Sequence, residues 1–176
     1  MEKRELLKIA IVGPESIGKS ELASALANHF KTNWVPEVAR EYLEKLNRHY
    51  LQSDVEAIAK LQLQLEDEIA LKTNGFLICD TNLLVIKIWM ESAFGVCPNW
   101  ILEEIQTRKY DLYLLPDIDL PWVPDPLREH PNERLFFKNW YERELLAAKV
   151  PFQIVSGIGE LRIENAILAI ESHIQK

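Results

Sequence analysis

Eight consecutive residues near the start of the chain have the types and spacing needed to bind phosphate. Residues 13–20 read Gly-Pro-Glu-Ser-Ile-Gly-Lys-Ser and fit the P-loop pattern G-x-x-x-x-G-K-[S/T]. The two glycines permit a turn whose backbone N–H groups point into one concavity. Lys19 supplies a mobile positive charge for the β- and γ-phosphates, and Ser20 supplies a hydroxyl for Mg²⁺. The predicted phosphate-binding residues are Gly13, Pro14, Glu15, Ser16, Ile17, Gly18, Lys19 and Ser20.

The segments on either side of this loop have the local structure that the motif requires. Residues 7–12 form a short apolar run rich in β-branched side chains, which predicts a buried strand. Residues 21–27 are strong helix formers, and the N-terminus of a helix adds positive potential at a bound phosphate. We therefore predict a nucleoside triphosphate site with ATP and Mg²⁺ as cofactors.

Strand-like and helix-like segments alternate along the rest of the chain, which predicts an α/β protein with a P-loop NTPase fold. Right-handed crossovers would give a five-stranded, mostly parallel sheet with helices on both faces. Residues 53–56 read as a capping box that starts a long helix. The further strands are predicted near residues 34–36, 76–80, 110–115 and 150–155.

Ligands bind beyond the carboxyl ends of the strands in such a sheet, and Asp80 ends the third predicted strand. A carboxylate there can hold Mg²⁺ opposite Ser20, as a Walker B residue does. The alternative is a capping role at the start of the following helix. Asn82 lies two residues further on, and we place it with the substrate.

Glu37 and Arg40 follow the second predicted strand and lie within one helical turn. The functional interpretation is an acceptor-binding corner, in which the carboxylate accepts a hydroxyl hydrogen and the guanidinium holds an anion. The alternative is a solvated face with local ion pairs.

Residues 116–134, here called the lid segment, follow the fourth strand and are rich in proline and aspartate. We predict a lid that delivers Arg128 to the phosphoryl group in transfer and places Trp122 near the substrate. The alternative is a surface loop with Trp122 packed into the core. Gly157 follows the fifth strand and is predicted to contact the nucleotide.

Composition limits the class of partner. The chain has 176 residues, enough for one domain, and a net charge of −7, which argues against a nucleic acid or an anionic membrane as partner. An anionic substrate must therefore meet a local positive cluster. Four of its first five residues are charged, unlike an export signal, and no apolar run is long enough to span a membrane, so we expect a cytoplasmic protein. The sequence leaves the oligomeric state open.

Several motifs in order resemble the ribosylnicotinamide kinase domain of the NadR-type proteins. These motifs are the P-loop, residues 36–41, Asp80-Thr81, Tyr110-Asp111, and residues 122–128 with Trp122, Asp125 and Leu127-Arg128. The resemblance spans nearly the whole chain. The chain departs from the family pattern at Val38, Asn82 and Pro126.

The resemblance implies a single kinase domain over residues 1–176, with a lid near 116–134. The implied reaction is ATP- and Mg²⁺-dependent phosphorylation of the ribose 5′-hydroxyl of nicotinamide riboside, giving nicotinamide mononucleotide. The implied catalytic residues are Lys19, Glu37, Asp80 and Arg128. Arg40 would lie with Glu37 on the riboside side, and either Asp80 or Glu37 would be the base.

Two other functions remain open at this point. One is a P-loop ATPase that acts as a switch or regulator, and the other is a kinase for a different nucleoside. A GTPase is not expected, because the chain has no Asn/Thr-Lys-x-Asp motif for reading guanine.

Overall fold

The computed structural model describes residues 6–175. Residues 1–5, used above to argue against an export signal, lie outside the described residues. The helices and strands in chain order are β1 (Leu7–Ile11), α1 (Lys19–Phe30), β2 (Trp34–Val35), α2 (Ala39–Glu44), α3 (Gln52–Ala70), β3 (Phe76–Asp80), α4 (Leu83–Phe94), α5 (Asn99–Thr107), β4 (Leu112–Pro116), α6 (Arg134–Ala148), β5 (Phe152–Val155) and α7 (Glu160–Ile174).

The five strands form one sheet in the order β2-β3-β1-β4-β5, and each neighbouring pair among residues 6–175 is parallel. β1 is the central strand, paired with β3 on one side and β4 on the other. The strand order reverses at β1, so the loop that follows β1 lies at the topological switch point where such sheets bind ligands. The predicted α/β fold is confirmed.

Alternating side chains of β1 enter two separate apolar cores, as the two-residue period of a strand requires. Ile9 and Ile11 pack against α1 and α7 on one face of the sheet. Ala10 and Val12 pack against α4 and α6 on the other face. The predicted helices on both faces of the sheet are therefore present.

The start of α3 differs from the prediction. The helix begins at Gln52, and Asp54 accepts a hydrogen bond of 2.7 Å from the Leu51 N–H. Asp54 is buried and also forms an ion pair with Arg48. The predicted capping box on residues 53–56 is therefore wrong: the helix end lies two residues earlier, and the Asp54 carboxylate closes it in place of Glu56.

Residues 117–133 connect β4 to α6 without a helix or strand of their own. None of the helices in the described part of the chain combines the length and apolar character needed to cross a membrane.

Candidate nucleotide and acceptor site

The P-loop connects the carboxyl end of β1 to the N-terminus of α1. Gly13 has φ +143° and Gly18 has φ +77°, both in the region that favours glycine. A Cβ at Gly13 would lie 2.6 Å from the Ile17 Cδ1, and one at Gly18 would lie 2.9 Å from the Leu120 Cδ1. The loop therefore needs glycine at both positions for its backbone and for the space around it.

Cationic side chains hold the carbonyl oxygens of this loop. The Lys19 ammonium donates to the Pro14 carbonyl at 2.7 Å. Arg134, the first residue of α6, donates to the Ser16 carbonyl at 3.1 Å. Carbonyl groups that bind cations on one side leave the amide N–H groups of the loop available on the other, where an anion would lie.

Asp80 lies beside the P-loop at the end of β3 and is 1% exposed. Its Oδ2 accepts a hydrogen bond from the Ser20 hydroxyl, and its Oδ1 has no hydrogen-bond partner among residues 6–175. Burial raises the pKa of Asp80 to about 6, the Ser20 hydrogen bond acts against that rise, and the nearby charge of Glu37 adds to it.

The oxygens of Ser20 and Asp80 suit Mg²⁺, which prefers hard oxygen ligands and keeps several waters or phosphate oxygens. The Oδ1 of Asp80, which has no hydrogen-bond partner among the described residues, is free to bind a cation at this place. No group of three or more carboxylate, histidine or cysteine side chains that could hold a metal occurs in the part of the chain that the structure describes. A cation here would therefore depend on phosphate oxygens and water for its remaining ligands.

A cleft of about 380 Å³ extends from the P-loop toward α4 and the lid segment. Glu37 and the aromatic side chains Tyr50 and Trp89 line it together with the P-loop. The rings of Tyr50 and Trp89 are 5.0 Å apart in an edge-to-face arrangement. The cleft has a volume typical of a small-molecule site, and its lining includes an acid and an aromatic wall made of these two rings.

The lid segment lies closed on the P-loop. The Glu15 carboxylate accepts hydrogen bonds of 3.1 Å from the backbone N–H groups of Glu129 and His130. The Ser16 hydroxyl accepts one of 2.9 Å from the Val123 N–H. The side chains of two central P-loop residues therefore hold the backbone of the lid segment.

The lid segment also contacts the acceptor end of the cleft. Asp125 forms an ion pair with Arg40 at 3.0 Å, and Glu129 accepts a hydrogen bond of 2.7 Å from the Tyr50 hydroxyl. Arg40 is thus paired in the way that the alternative interpretation predicts, although its partner lies in the lid segment.

The structure brings most of the predicted site residues to this cleft. Those that line it are Gly13, Pro14, Glu15, Ser16, Ile17, Gly18, Lys19, Ser20, Glu37, Arg40 and Arg128. Arg128 donates to the Ser16 hydroxyl at 3.3 Å, so the predicted lid arginine lies at the phosphate end.

Four predicted residues do not line the cleft: Asp80, Asn82, Trp122 and Gly157. Asn82 is buried, and its Oδ1 accepts the Leu84 N–H at 3.0 Å, which caps α4. This side chain is used as a helix cap, and its predicted contact with the substrate stays a prediction. The alternative role predicted for Asp80 was to cap the following helix. Asn82 takes that role, since it is the N-cap of α4.

Trp122 and Gly157 have other neighbours. The Trp122 ring has the guanidinium groups of Arg128 and Arg134 within 6.0 Å and 5.8 Å of its centre. The Gly157 N–H donates to the Asp119 carboxylate at 2.6 Å. Their contacts with substrate and nucleotide stay predictions.

Sequence reasoning missed the aromatic wall, the Glu15 contact and a buried arginine, Arg162, behind the P-loop. Tyr50 and Trp89 carry no motif, and five tryptophans in the chain gave no basis for choosing one. Arg162 sits in an amphipathic helix and contacts the loop across 145 positions of sequence. No local pattern marks such a contact.

A family model described as an AAA domain matches residues 8–162. The chain belongs to this AAA-domain family. The family assignment agrees with the P-loop and with the parallel sheet around it, both of which are features of nucleotide-binding proteins.

The Trifunctional NAD biosynthesis/regulator protein NadR of Escherichia coli (strain K12) is 30% identical over 126 residues. The match covers 68% of this AAA-domain chain and 30% of NadR, so the chain corresponds to under a third of that relative's length. The predicted resemblance to NadR-type proteins is confirmed.

Solved structures share the fold. A NadR protein in complex with NR superposes with a TM-score of 0.84 at 20% identity, over 97% of this chain and 52% of that one. A deoxyadenosine kinase from M. mycoides superposes with a TM-score of 0.66 at 18% identity, over 94% of this chain and 100% of that one. These likenesses show the fold that the AAA-domain chain adopts.

Proposed function

We propose that the chain is an ATP- and Mg²⁺-dependent kinase that phosphorylates the ribose 5′-hydroxyl of nicotinamide riboside. The observation that carries this proposal is one continuous cleft that runs from the P-loop to an acid and an aromatic wall. A switch ATPase needs only the phosphate end of such a cleft. The likeness to NadR, solved with NR bound, supports nicotinamide riboside as the acceptor.

The phosphate end of the cleft would neutralise the charge of the transferring group. The backbone N–H groups of the P-loop, Lys19 and Arg128 surround the place where the γ-phosphate would lie. Catalysis of phosphoryl transfer depends on this kind of positioning and charge stabilisation. Ser20 and Asp80 would hold Mg²⁺, which supplies further positive charge at the β- and γ-oxygens when bound.

Glu37 would act on the acceptor hydroxyl. It lines the cleft, whereas Asp80 is buried beside Ser20 and faces the place of the metal. The hydroxyl oxygen attacks the γ-phosphorus, the bond between that phosphorus and the ADP oxygen breaks, and the hydroxyl proton passes to Glu37. The products are ADP and nicotinamide mononucleotide.

The aromatic wall would bind the nicotinamide ring. That ring is flat and carries a positive charge in the riboside, so it suits the faces of Tyr50 and Trp89. The negative charges of Glu37 and Glu129 at the same end favour a cation further.

For the whole chain, we infer one kinase domain over residues 1–176 with a lid at 116–134. We infer that it acts in the cytoplasm on a small molecule. The net charge of −7 supports a partner other than nucleic acid or an anionic membrane.

A kinase assay over a panel of ribosides tests the proposal. We expect ADP release that depends on nicotinamide riboside, with nicotinamide mononucleotide identified by mass spectrometry. Lys19→Ala is the matched control and should abolish turnover while the protein stays folded. ADP release without any acceptor would favour the switch ATPase. Preference for deoxyadenosine would favour another nucleoside kinase, in line with the M. mycoides fold neighbour.

A further inference from the structure

Two arginines from distant parts of the chain hold consecutive carbonyl groups of the P-loop. Arg134 donates to the Ser16 carbonyl, and Arg162 donates to the Ile17 carbonyl. In a trans peptide the C=O and the following N–H point in opposite directions. A donor that fixes a carbonyl behind the loop therefore directs the next N–H toward the front.

Arg162 differs from Arg134 because it is buried and lies outside the cleft. It is 4% exposed and comes from the first turn of α7. Besides Ile17, its guanidinium donates to the Gly157 carbonyl at 2.7 Å and to the Asp117 carbonyl at 3.0 Å. One side chain thus joins the P-loop to the segments that follow β4 and β5.

Gly18 is the residue whose N–H belongs to the peptide that Arg162 holds. It lies at the N-terminus of α1, and a Cβ there would be 3.4 Å from the Arg162 Nη1. The guanidinium therefore packs directly behind the Ile17–Gly18 peptide. Its positive charge also adds to the potential at the mouth of the helix.

We propose that Arg162 is a positioning residue for nucleotide binding. It orients the Ile17–Gly18 peptide so that the Gly18 N–H faces the phosphates, and it does so without contacting the substrate. The inference rests on the proposed function, because it requires a triphosphate bound at the P-loop.

The test compares nucleotide and acceptor binding in two variants, Arg162→Gln and Arg162→Lys. Calorimetry on the folded proteins should show the Kd for Mg·ATP raised about tenfold or more in Arg162→Gln, because several hydrogen bonds to a charged group are lost. Arg162→Lys should give a smaller rise, since it keeps the charge. The Kd for nicotinamide riboside should stay within about twofold of the wild-type value, because the acceptor end is remote.

Arg108→Gln is the matched control. Arg108 is another partly buried arginine, paired with Asp67 and Glu104 beyond the end of α5, at the opposite edge of the sheet from the P-loop. Its loss should lower the melting temperature and leave the Kd for Mg·ATP within about twofold. A second readout is chemical rescue. Guanidinium chloride below denaturing concentration should restore Mg·ATP affinity to Arg162→Ala, and the same concentration of NaCl should not.

The outcomes separate this inference from the proposed function. If the wild-type protein binds no Mg·ATP, the proposed function fails. If the wild type binds and folded Arg162→Gln binds equally well, or loses riboside affinity to the same degree, the positioning role is overturned. If neither variant folds, Arg162 serves folding alone and the inference is likewise overturned.

Discussion

Asp80 and Glu37 are the two carboxylates beside the P-loop, and their surroundings divide the chemistry between them. Asp80 is buried, with one oxygen on the Ser20 hydroxyl and the other without a partner in the described chain. Its pKa is raised mainly because burial disfavours the charged form, and the Ser20 hydrogen bond and the Lys19 charge act against that rise. Glu37 lines the open cleft. The first arrangement suits a cation and the second suits a substrate hydroxyl.

We expect Glu37→Gln to lower kcat by about 10²- to 10⁴-fold, since a proton acceptor is lost, and to leave Mg·ATP affinity unchanged.

Asp80→Asn should instead raise the Mg²⁺ concentration needed for half-maximal rate. Steady-state kinetics with Mg²⁺ titration measures both effects. Glu41→Gln is the control, because Glu41 is an exposed residue of α2 paired with Lys45. Identical kinetic losses in the Glu37 and Asp80 variants would contradict this division of roles.

The residues that sequence alone predicted are those whose function depends on neighbours in the chain. The P-loop is contiguous, so its eight residues specify a backbone turn and a charge together. Glu15 and Arg162 act through contacts across more than 100 positions. Such contacts follow from the packing of the sheet, which no local pattern encodes.

At the scale of elements, side chains of the P-loop hold the lid segment. Glu15 accepts the N–H of Glu129, and the peptide bond that contains this N–H follows Arg128. A side chain of the P-loop therefore fixes the backbone at a position where trypsin can cut.

We expect Glu15→Ala to raise the rate of tryptic cleavage after Arg128 by about tenfold, since charged hydrogen bonds hold the closed lid segment. Mass spectrometry of the fragments over time measures the rate. Glu103→Ala, at an exposed position of α5, is the control. Unaltered cleavage after Arg128 would show that other contacts keep the lid segment closed.

The helix starts show where prediction of elements succeeded and failed. α1 includes the predicted helix formers of residues 21–27 and begins at Lys19, because the glycine before it ends the loop. α3 begins differently because Asp54 is buried against Arg48, and this ion pair selects the capping residue. When several polar residues near a helix start could cap it, contacts with distant parts of the chain decide which one does. The local sequence pattern does not show those contacts.

At the scale of the whole molecule, an acidic protein concentrates positive charge at one place. The net charge is −7, yet Lys19, Arg128, Arg134 and Arg162 all contact the P-loop. The local positive cluster that composition required is therefore present. It arises because the carboxyl ends of β1, β4 and β5 meet at one edge of the sheet.

We expect saturating Mg·ATP to raise the melting temperature by roughly 5 to 10 °C. Ligand at about 100 times its Kd adds about 2.7 kcal/mol to the free energy of unfolding, and a chain of this size converts that gain into such a shift. Differential scanning fluorimetry measures the shift. Chelation of Mg²⁺ should remove most of it in the wild type. Asp80→Asn should show little difference between ATP with and without Mg²⁺. A full shift in the presence of a chelator would speak against a metal at Ser20 and Asp80.

The overall sheet was predictable because alternating apolar strands and amphipathic helices permit few topologies once crossovers are right-handed. The two apolar faces of β1 already indicated a strand covered on both sides. The cleft was not predictable, because its aromatic wall comes from α4 and from the connection before α3, which are remote in sequence.

Residues 123–130 form hydrogen bonds with Glu15 and Ser16 of the P-loop. They also contact Arg40 through an ion pair and Tyr50 through a hydrogen bond. In the proposed kinase, release of the products would require these bonds to loosen. Product release would then limit the steady-state rate. An added viscogen would lower that rate and leave the single-turnover rate unchanged.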